Sequence, residues 1–217
     1  MYSHHPAFAA FACACALTSA VGCSDYEMHS PADVAKGRTV DTSTPTDTST
    51  GDTGDCEDVY IGHFYNLPAD HPDIEGEVTG VLEGDLPANH DWWDETWWAF
   101  DEEHPGLEFG DDWWPVDEGL EGDPQYFAVH WEAQLEVDTD SVVAFELGSD
   151  DDGWAFIDDI LVADLGGIHG VEATSFVVSL TAGVHSLDLY MAERHTSNSG
   201  FWFRWMSDEV RIWTCPS

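Results

Sequence analysis

Three consecutive aspartates, Asp150, Asp151 and Asp152, are the residues of this chain whose types and spacing most directly imply chemistry. They lie between two apolar runs, directly before Gly153. Adjacent ionised carboxylates repel one another, so a chain places them together where water surrounds them or where a hard cation binds. An EF-hand is excluded, because with Gly153 as its turn glycine the first ligand position would fall on Gly148. Two interpretations stay open: a calcium site and a solvated acidic turn.

A polar segment at residues 193–200 is expected to supply the other half of such a site. Asn198 offers a neutral oxygen and Glu193 a carboxylate, and the two are expected either to complete the calcium site or to contact a bound sugar. Arg194 could pair with an aspartate, as a structural salt bridge, or with an acidic sugar. His195, like His169 upstream, is either a metal ligand or a hydrogen-bonded structural histidine.

Tryptophans surrounded by acidic residues form a second kind of candidate binding surface. Trp92 and Trp93 belong to one cluster, and Trp113 and Trp114 form another. An indole ring stacks on the apolar face of a sugar while carboxylates accept its hydroxyl hydrogens. Trp92 and Trp93 are therefore predicted to contact ligand, although a place in the core is the alternative, and the core is favoured for Trp113 and Trp114.

The elements that must position these residues are predicted to be strands. Residues 127–137 alternate strictly between apolar and polar side chains, as a half-buried strand does. Further strands are predicted at residues 59–65, 142–147, 154–157, 160–165, 175–180, 184–192, 201–206 and 210–213, with a hairpin turn at Asp158-Asp159. Residues 68–123 are otherwise expected to be loop-like. Many short strands and no helical periodicity indicate an all-β antiparallel sandwich or barrel.

The first 55 residues are expected to lie outside this domain. Residues 1–23 are predicted to be a signal peptide whose end at Cys23 is similar to a bacterial lipobox, so that Cys23 would carry lipid. Cleavage near Ala14-Cys15-Ala16 is the alternative. Residues 24–55, rich in Thr, Ser and Asp, are predicted to be a disordered linker, and residues 56–217 the β domain. The protein is thus expected to be an outer-membrane or cell-surface lipoprotein, or otherwise secreted.

Two cysteines stand at the two edges of the predicted domain. In an exported protein, Cys56 and Cys215 are expected to form a disulfide that joins the ends of the domain, the alternative being two separate buried thiols.

The net charge of −39 excludes whole classes of partner. Such a field repels nucleic acid and anionic membrane surfaces, so membrane contact is expected only through the lipid anchor. No nucleophile-elbow, zinc-protease or phosphate-loop motif is present. A glycoside hydrolase remains the least favoured alternative, because its paired carboxylates cannot be identified among so many acids.

Five short motifs in order carry a family resemblance. They are Ser149-Asp150-Asp151-Asp152 with Trp154-Ala155-Phe156-Ile157, Asp164-Leu165-Gly166-Gly167-Ile168-His169, Ala192-Glu193-Arg194-His195-Thr196, His71-Pro72-Asp73-Ile74-Glu75, and Trp113-Trp114-Pro115-Val116-Asp117. Over residues 56–213 the chain resembles a fibro-slime domain, within the broader protective-antigen-like β-barrel group. The resemblance implies a calcium ion held by two adjacent aspartates, often joined by a cis peptide. Carried to this chain they are Asp150 and Asp151, or Asp152 if the register shifts by one.

The residues and the resemblance together predict an exported surface module that binds extracellular carbohydrate or matrix with the help of calcium. A structural surface or matrix protein with a purely stabilising calcium site is the alternative.

Overall fold

The computed structural model describes residues 56–74, 76, 80–116 and 122–215. Within these residues it contains eleven strands and one short 3₁₀ turn at Pro87–Asn89. The strands are β1 (Tyr60–Asn66), β2 (Trp98–His104), β3 (Glu108–Asp111), β4 (Phe127–Val137), β5 (Ser141–Asp150), β6 (Asp152–Ile157), β7 (Ile160–Leu165), β8 (Glu172–Leu180), β9 (Gly183–Glu193), β10 (Gly200–Trp205) and β11 (Val210–Trp213). In this part of the chain, no helix has the length and apolarity needed to cross a membrane.

The strands form two antiparallel sheets, which confirms the predicted all-β sandwich. One sheet has seven strands in the order β2-β1-β4-β9-β6-β7, with β11 also paired to β4. The other has four strands in the order β3-β10-β5-β8. The alternating pattern of β4 explains its central place, because it pairs with β1, β9 and β11 and buries every second side chain.

The main core lies between the two sheets. Trp131 of β4 is fully buried and stacks on Phe201 of β10, with ring centroids 4.5 Å apart. Trp113 packs half-buried against the same cluster, and stacks on Phe109 at 4.0 Å. Each large side chain removed from water in this way contributes about 1.5–3 kcal/mol to stability.

A second apolar cluster covers part of the outer face of the seven-stranded sheet. It contains Leu67 and Trp92 from the segment after β1, together with Trp154 and Ala192 from β6 and β9. The prediction of a loop-like stretch at residues 68–123 was incomplete, since β2 and β3 lie within it. Both strands are largely exposed and rich in acid, so neither shows the alternation by which a half-buried strand is detected.

Two local predictions are confirmed. The β6–β7 hairpin turns at Asp158 and Asp159, whose φ angles of 51° and 62° match the left-handed pair that a type I′ turn requires. Cys56 and Cys215 form a disulfide with an S–S distance of 2.03 Å. The predicted signal peptide, the lipidated Cys23 and the linker lie outside the described residues.

Candidate metal centre

The three aspartates lie where the chain passes from one sheet to the other. Asp150 is the last residue of β5 in the four-stranded sheet, and Asp152 is the first of β6 in the seven-stranded sheet. The peptide bond between Asp150 and Asp151 is cis. The side chains are not in water: Asp150, Asp151 and Asp152 are 3%, 1% and 0% exposed. The solvated-turn interpretation was therefore wrong, because the crossing between sheets buries all three residues.

Asp152 is paired with a cation from its own fold. Arg194 donates to both of its oxygens, from Nε at 2.6 Å and from Nη2 at 2.8 Å, and the backbone N–H of Gly167 donates to Oδ1 at 2.5 Å. The Arg194 guanidinium also lies 4.9 Å from the centre of the Trp92 ring. Of the two roles considered for Arg194, the structure shows the salt bridge. With all these contacts made, Asp152 has little capacity left to bind a metal.

Asp150, Asp151 and Glu193 form a separate group of buried carboxylates. Glu193 ends β9 and is 0% exposed, and one oxygen from each of the three residues lies within 4.8 Å of the others. The backbone N–H groups of His169 and Arg194 each donate to Asp151 at 3.0 Å, and that of His195 donates to Glu193 Oε1 at 2.8 Å.

Two oxygens of this group are buried without a hydrogen bond. Asp150 Oδ2 and Glu193 Oε2 have no partner among the residues that the structure describes. A buried oxygen in this condition loses its hydration without replacement, which costs about 1–3 kcal/mol for a neutral group and more for a charged one.

The electrostatics of the group reflect this burial. Loss of hydration, reinforced by the charge of Asp151, raises the pKa of Asp150 to about 6 and that of Glu193 to about 11. A positive charge at the centre of the group would lower the pKa values of both carboxyls. In its absence, protons must neutralise part of the negative charge.

A glycine-rich turn after β7 holds the donors to these aspartates. Gly166 approaches the backbone so closely that a Cβ there would lie 2.4 Å from the carbonyl oxygen of Asp85. Gly167 has a φ of 119°, a conformation that L side chains rarely adopt. Both ring nitrogens of His169 bond backbone carbonyls, Nδ1 that of Gly170 at 2.8 Å and Nε2 that of Leu165 at 2.7 Å. His169 is therefore a structural histidine that orients the turn.

The remaining predicted residues are dispersed around this centre. His195 is half-buried, and its Nδ1 lies 3.1 Å from Ser197 Oγ. Asn198 is exposed at the loop between β9 and β10, with a φ of 77°. The prediction that Trp92 contacts ligand was wrong: its ring is 0% exposed and packed in the second apolar cluster. Trp93 is half-buried and lines a groove of about 580 Å³ on the outer face of the seven-stranded sheet.

Sequence reasoning missed Asp111 as a neighbour of this centre. Gly200 is the register partner of both Asp111 in β3 and Asp150 in β5, so the three residues lie side by side across the four-stranded sheet. The charge of Asp111 contributes to the raised pKa of Asp150. Only the pairing of β3 with β10 reveals this proximity, and β3 carries no strand signal of its own.

The donor set fits a hard cation of calcium's size. Oxygens at about 2.4 Å from calcium lie up to about 4.8 Å apart across the ion, and one oxygen each of Asp150, Asp151 and Glu193 lies within that limit of the others. Zinc would be expected to recruit nitrogen or sulfur ligands, which this group does not offer.

Comparison with known proteins places this fold. The family model of the PA14 domain matches residues 108–212. Two Dictyostelium discoideum proteins are similar over part of the chain: psiR is 38% identical over 82 residues, 36% of this chain, and psiQ is 43% identical over 77 residues, 33% of it. The matched parts are only 8% and 7% of those proteins.

A solved structure gives the same result at the level of the fold. The PA14 domain of the MpAFP antifreeze protein superposes with a TM-score of 0.52 at 15% identity, covering 76% of this chain and 88% of that one. The chain is therefore similar to the PA14 domain over residues 108–212, and its β-sandwich is PA14-like.

Proposed function

We propose that this domain is a binding module for extracellular carbohydrate or matrix, and that a calcium ion held by Asp150, Asp151 and Glu193 organises its site. One observation carries the proposal: three buried carboxylates converge and, among the described residues, two of their oxygens have no hydrogen-bond partner and no arginine forms a salt bridge with them. Calcium would satisfy both oxygens and remove the repulsion.

The position of the centre supports a role in binding. It lies at one end of the sandwich, where the ends of β5 and β9 meet and the turn after β7 packs. Loops at the end of a rigid β scaffold are common places for ligand contacts. The exposed Asp111 lies beside Asp150 through their shared pairing with Gly200, and the exposed Asn198 lies in the loop that leads into β10; both are proposed to reach a saccharide.

Export is part of the same proposal. The Cys56–Cys215 disulfide is typical of an oxidising compartment. A lipid on Cys23 would keep the domain at the cell surface, and the negative charge would keep it off nucleic acid.

One observation favours a second candidate, a structural surface protein. The three carboxylates are at most 3% exposed, so an ion among them would stabilise the fold whether or not it met a ligand.

Calorimetric titration of calcium into the oxidised full chain, followed by a glycan array with calcium or with chelator, tests the proposal. Asp150→Asn/Asp151→Asn is compared with Asp158→Asn/Asp159→Asn, which removes an equally adjacent but exposed pair while tolerating its left-handed φ angles.

The expected result is one saturable calcium site lost only from the first variant, with glycan binding that chelation abolishes. A calcium site that raises the melting temperature without any glycan binding would favour the structural candidate. Equal weak calcium binding by all three proteins would overturn both.

A further inference from the structure

A second group of metal-ligating side chains lies on the outer face of the seven-stranded sheet, apart from the calcium candidate. Strand register places them in two neighbouring rows: Asp101, His63, His130 and Tyr190 in one, and Glu132 and Asp188 in the next. Residues two apart on a strand share a face, so the backbone itself brings the rows together.

The donor atoms of these rows are close to one another. His130 Nε2 lies 2.9 Å from Asp188 Oδ1, and His63 Nε2 lies 3.4 Å from Glu132 Oε2. One ligand atom from each of His130, Glu132 and Asp188 lies within 4.8 Å of the others. The ligand atoms of a tetrahedral zinc site are about 3.3 Å apart, so small rotations of these side chains would complete one.

The orientation of His63 is the second observation. Its Nδ1 lies 2.8 Å from Asp101 Oδ1, an oxygen that also accepts the indole N–H of Trp98 at 2.9 Å. Because that oxygen is an acceptor, Nδ1 must carry the proton. A neutral His63 then turns its Nε2 lone pair toward the Glu132 carboxylate, and two acceptors face each other unless a cation or a proton lies between them. Metal-bound histidines commonly have this arrangement, with the far nitrogen donating to a carboxylate.

The ring of His130 is held in place as well. It stacks on Tyr190 with centroids 4.2 Å apart and an interplanar angle of 2°. A ligand fixed on a strand and by a stacked ring loses little freedom when it binds metal.

Among the described residues, no arginine pairs with the carboxylates of these rows, whose only basic partners are His63 and His130. Residues 56–217 contain no lysine and three arginines, and these pair elsewhere: Arg194 with Asp152, Arg204 with Glu108, and Arg211 with Glu136. We infer that His130, Glu132 and Asp188, with His63 as the fourth ligand, form a site for a borderline divalent metal of the zinc type. Two imidazoles distinguish it from the all-oxygen calcium candidate.

Titration of the full chain with zinc, by calorimetry, tests the inference, with cobalt as a spectroscopic substitute. The variants are His130→Gln, the more exposed Glu132→Gln, and Asp101→Asn, which removes the negative charge of the side chain that orients His63. Asp150→Asn/Asp151→Asn serves as the control, and melting temperatures check that each variant is folded.

The expected result is a zinc site that His130→Gln and Glu132→Gln each weaken by at least about 10-fold, and Asp101→Asn by about 10-fold. The control should leave zinc affinity unchanged, and cobalt should give the absorption bands of a tetrahedral nitrogen–oxygen site in the wild-type and control proteins but not in His130→Gln. Zinc affinity that is the same in the wild type, His130→Gln and Glu132→Gln would overturn the inference, even if the calcium site proved real.

Discussion

Replacing Asp150 with asparagine should stabilise the protein in a metal-free buffer at pH 7. Burial and the charge of Asp151 raise the pKa of this carboxyl from its ordinary value of 3.8 to about 6. Each pKa unit corresponds to about 1.4 kcal/mol, so keeping the group ionised in the fold costs about 3 kcal/mol at pH 7. Asparagine keeps the shape and an acceptor oxygen without that charge.

The raised pKa of Asp150 also determines how the free energy of unfolding changes with pH. A carboxyl whose pKa is raised on folding contributes stability below pH 3.8, and this contribution is lost as the pH rises to about 6. In chelator, the free energy of unfolding of the wild-type protein should therefore decline over this window by about 3 kcal/mol relative to Asp150→Asn.

Calcium should make the wild-type protein more stable than Asp150→Asn. The ion would bind the wild-type carboxylate and stabilise the fold by mass action, whereas Asp150→Asn has lost a charged ligand. Urea unfolding followed by tryptophan fluorescence, in chelator and in millimolar calcium, measures both effects. Asp70→Asn changes the charge equally at an exposed position, and should alter stability by at most about 0.5 kcal/mol. The reasoning fails if Asp150→Asn is no more stable than the wild type in chelator.

Two further perturbations test the elements that hold the centre together. Cys56→Ser/Cys215→Ser should lower the free energy of unfolding, measured in urea, by about 5 kcal/mol, because the disulfide closes a loop of 159 residues. A loss below about 1 kcal/mol would show that other contacts hold the ends of the domain. Arg194→Met should lower the free energy of unfolding by about 3–5 kcal/mol in the same assay, because it leaves Asp152 buried and unpaired. Arg211→Met, the control at a half-exposed pair, should lower it by at most about 1 kcal/mol. Equal losses in the two variants would contradict a buried ion pair.

Local patterns account for the parts of the fold that could be predicted. The alternation in β4 is visible in eleven residues, and the turn at Asp158 and Asp159 follows from two residue types that tolerate left-handed φ angles. Strands β2 and β3 could not be predicted in the same way. They lie at the sheet edges, paired with β1 and β10, and only a few of their side chains, such as Phe100 and Phe109, pack against the core, so no alternating pattern marks them.

The candidate metal centre, too, could be predicted from the sequence only in part. Sequence motifs drew attention to Asp150, Asp151 and Glu193, which the fold brings within 4.8 Å of one another. The motifs could not separate Asp150 from Asp152, since both are aspartates in one run. The crossing between sheets directs Asp152 to Arg194 and leaves Asp150 with an oxygen that has no partner among the described residues.

By itself, the sequence determined the all-β class, the disulfide and the identity of the acidic residues, because these follow from composition, period and cysteine count. Only the tertiary structure decided which carboxylates are buried together, that Trp92 is in the core while Trp93 lines a groove, and that His63 and His130 share a sheet face. The physical reason is that desolvation and register depend on residues far apart in the chain, and a carboxylate's pKa or a histidine's partner follows from them.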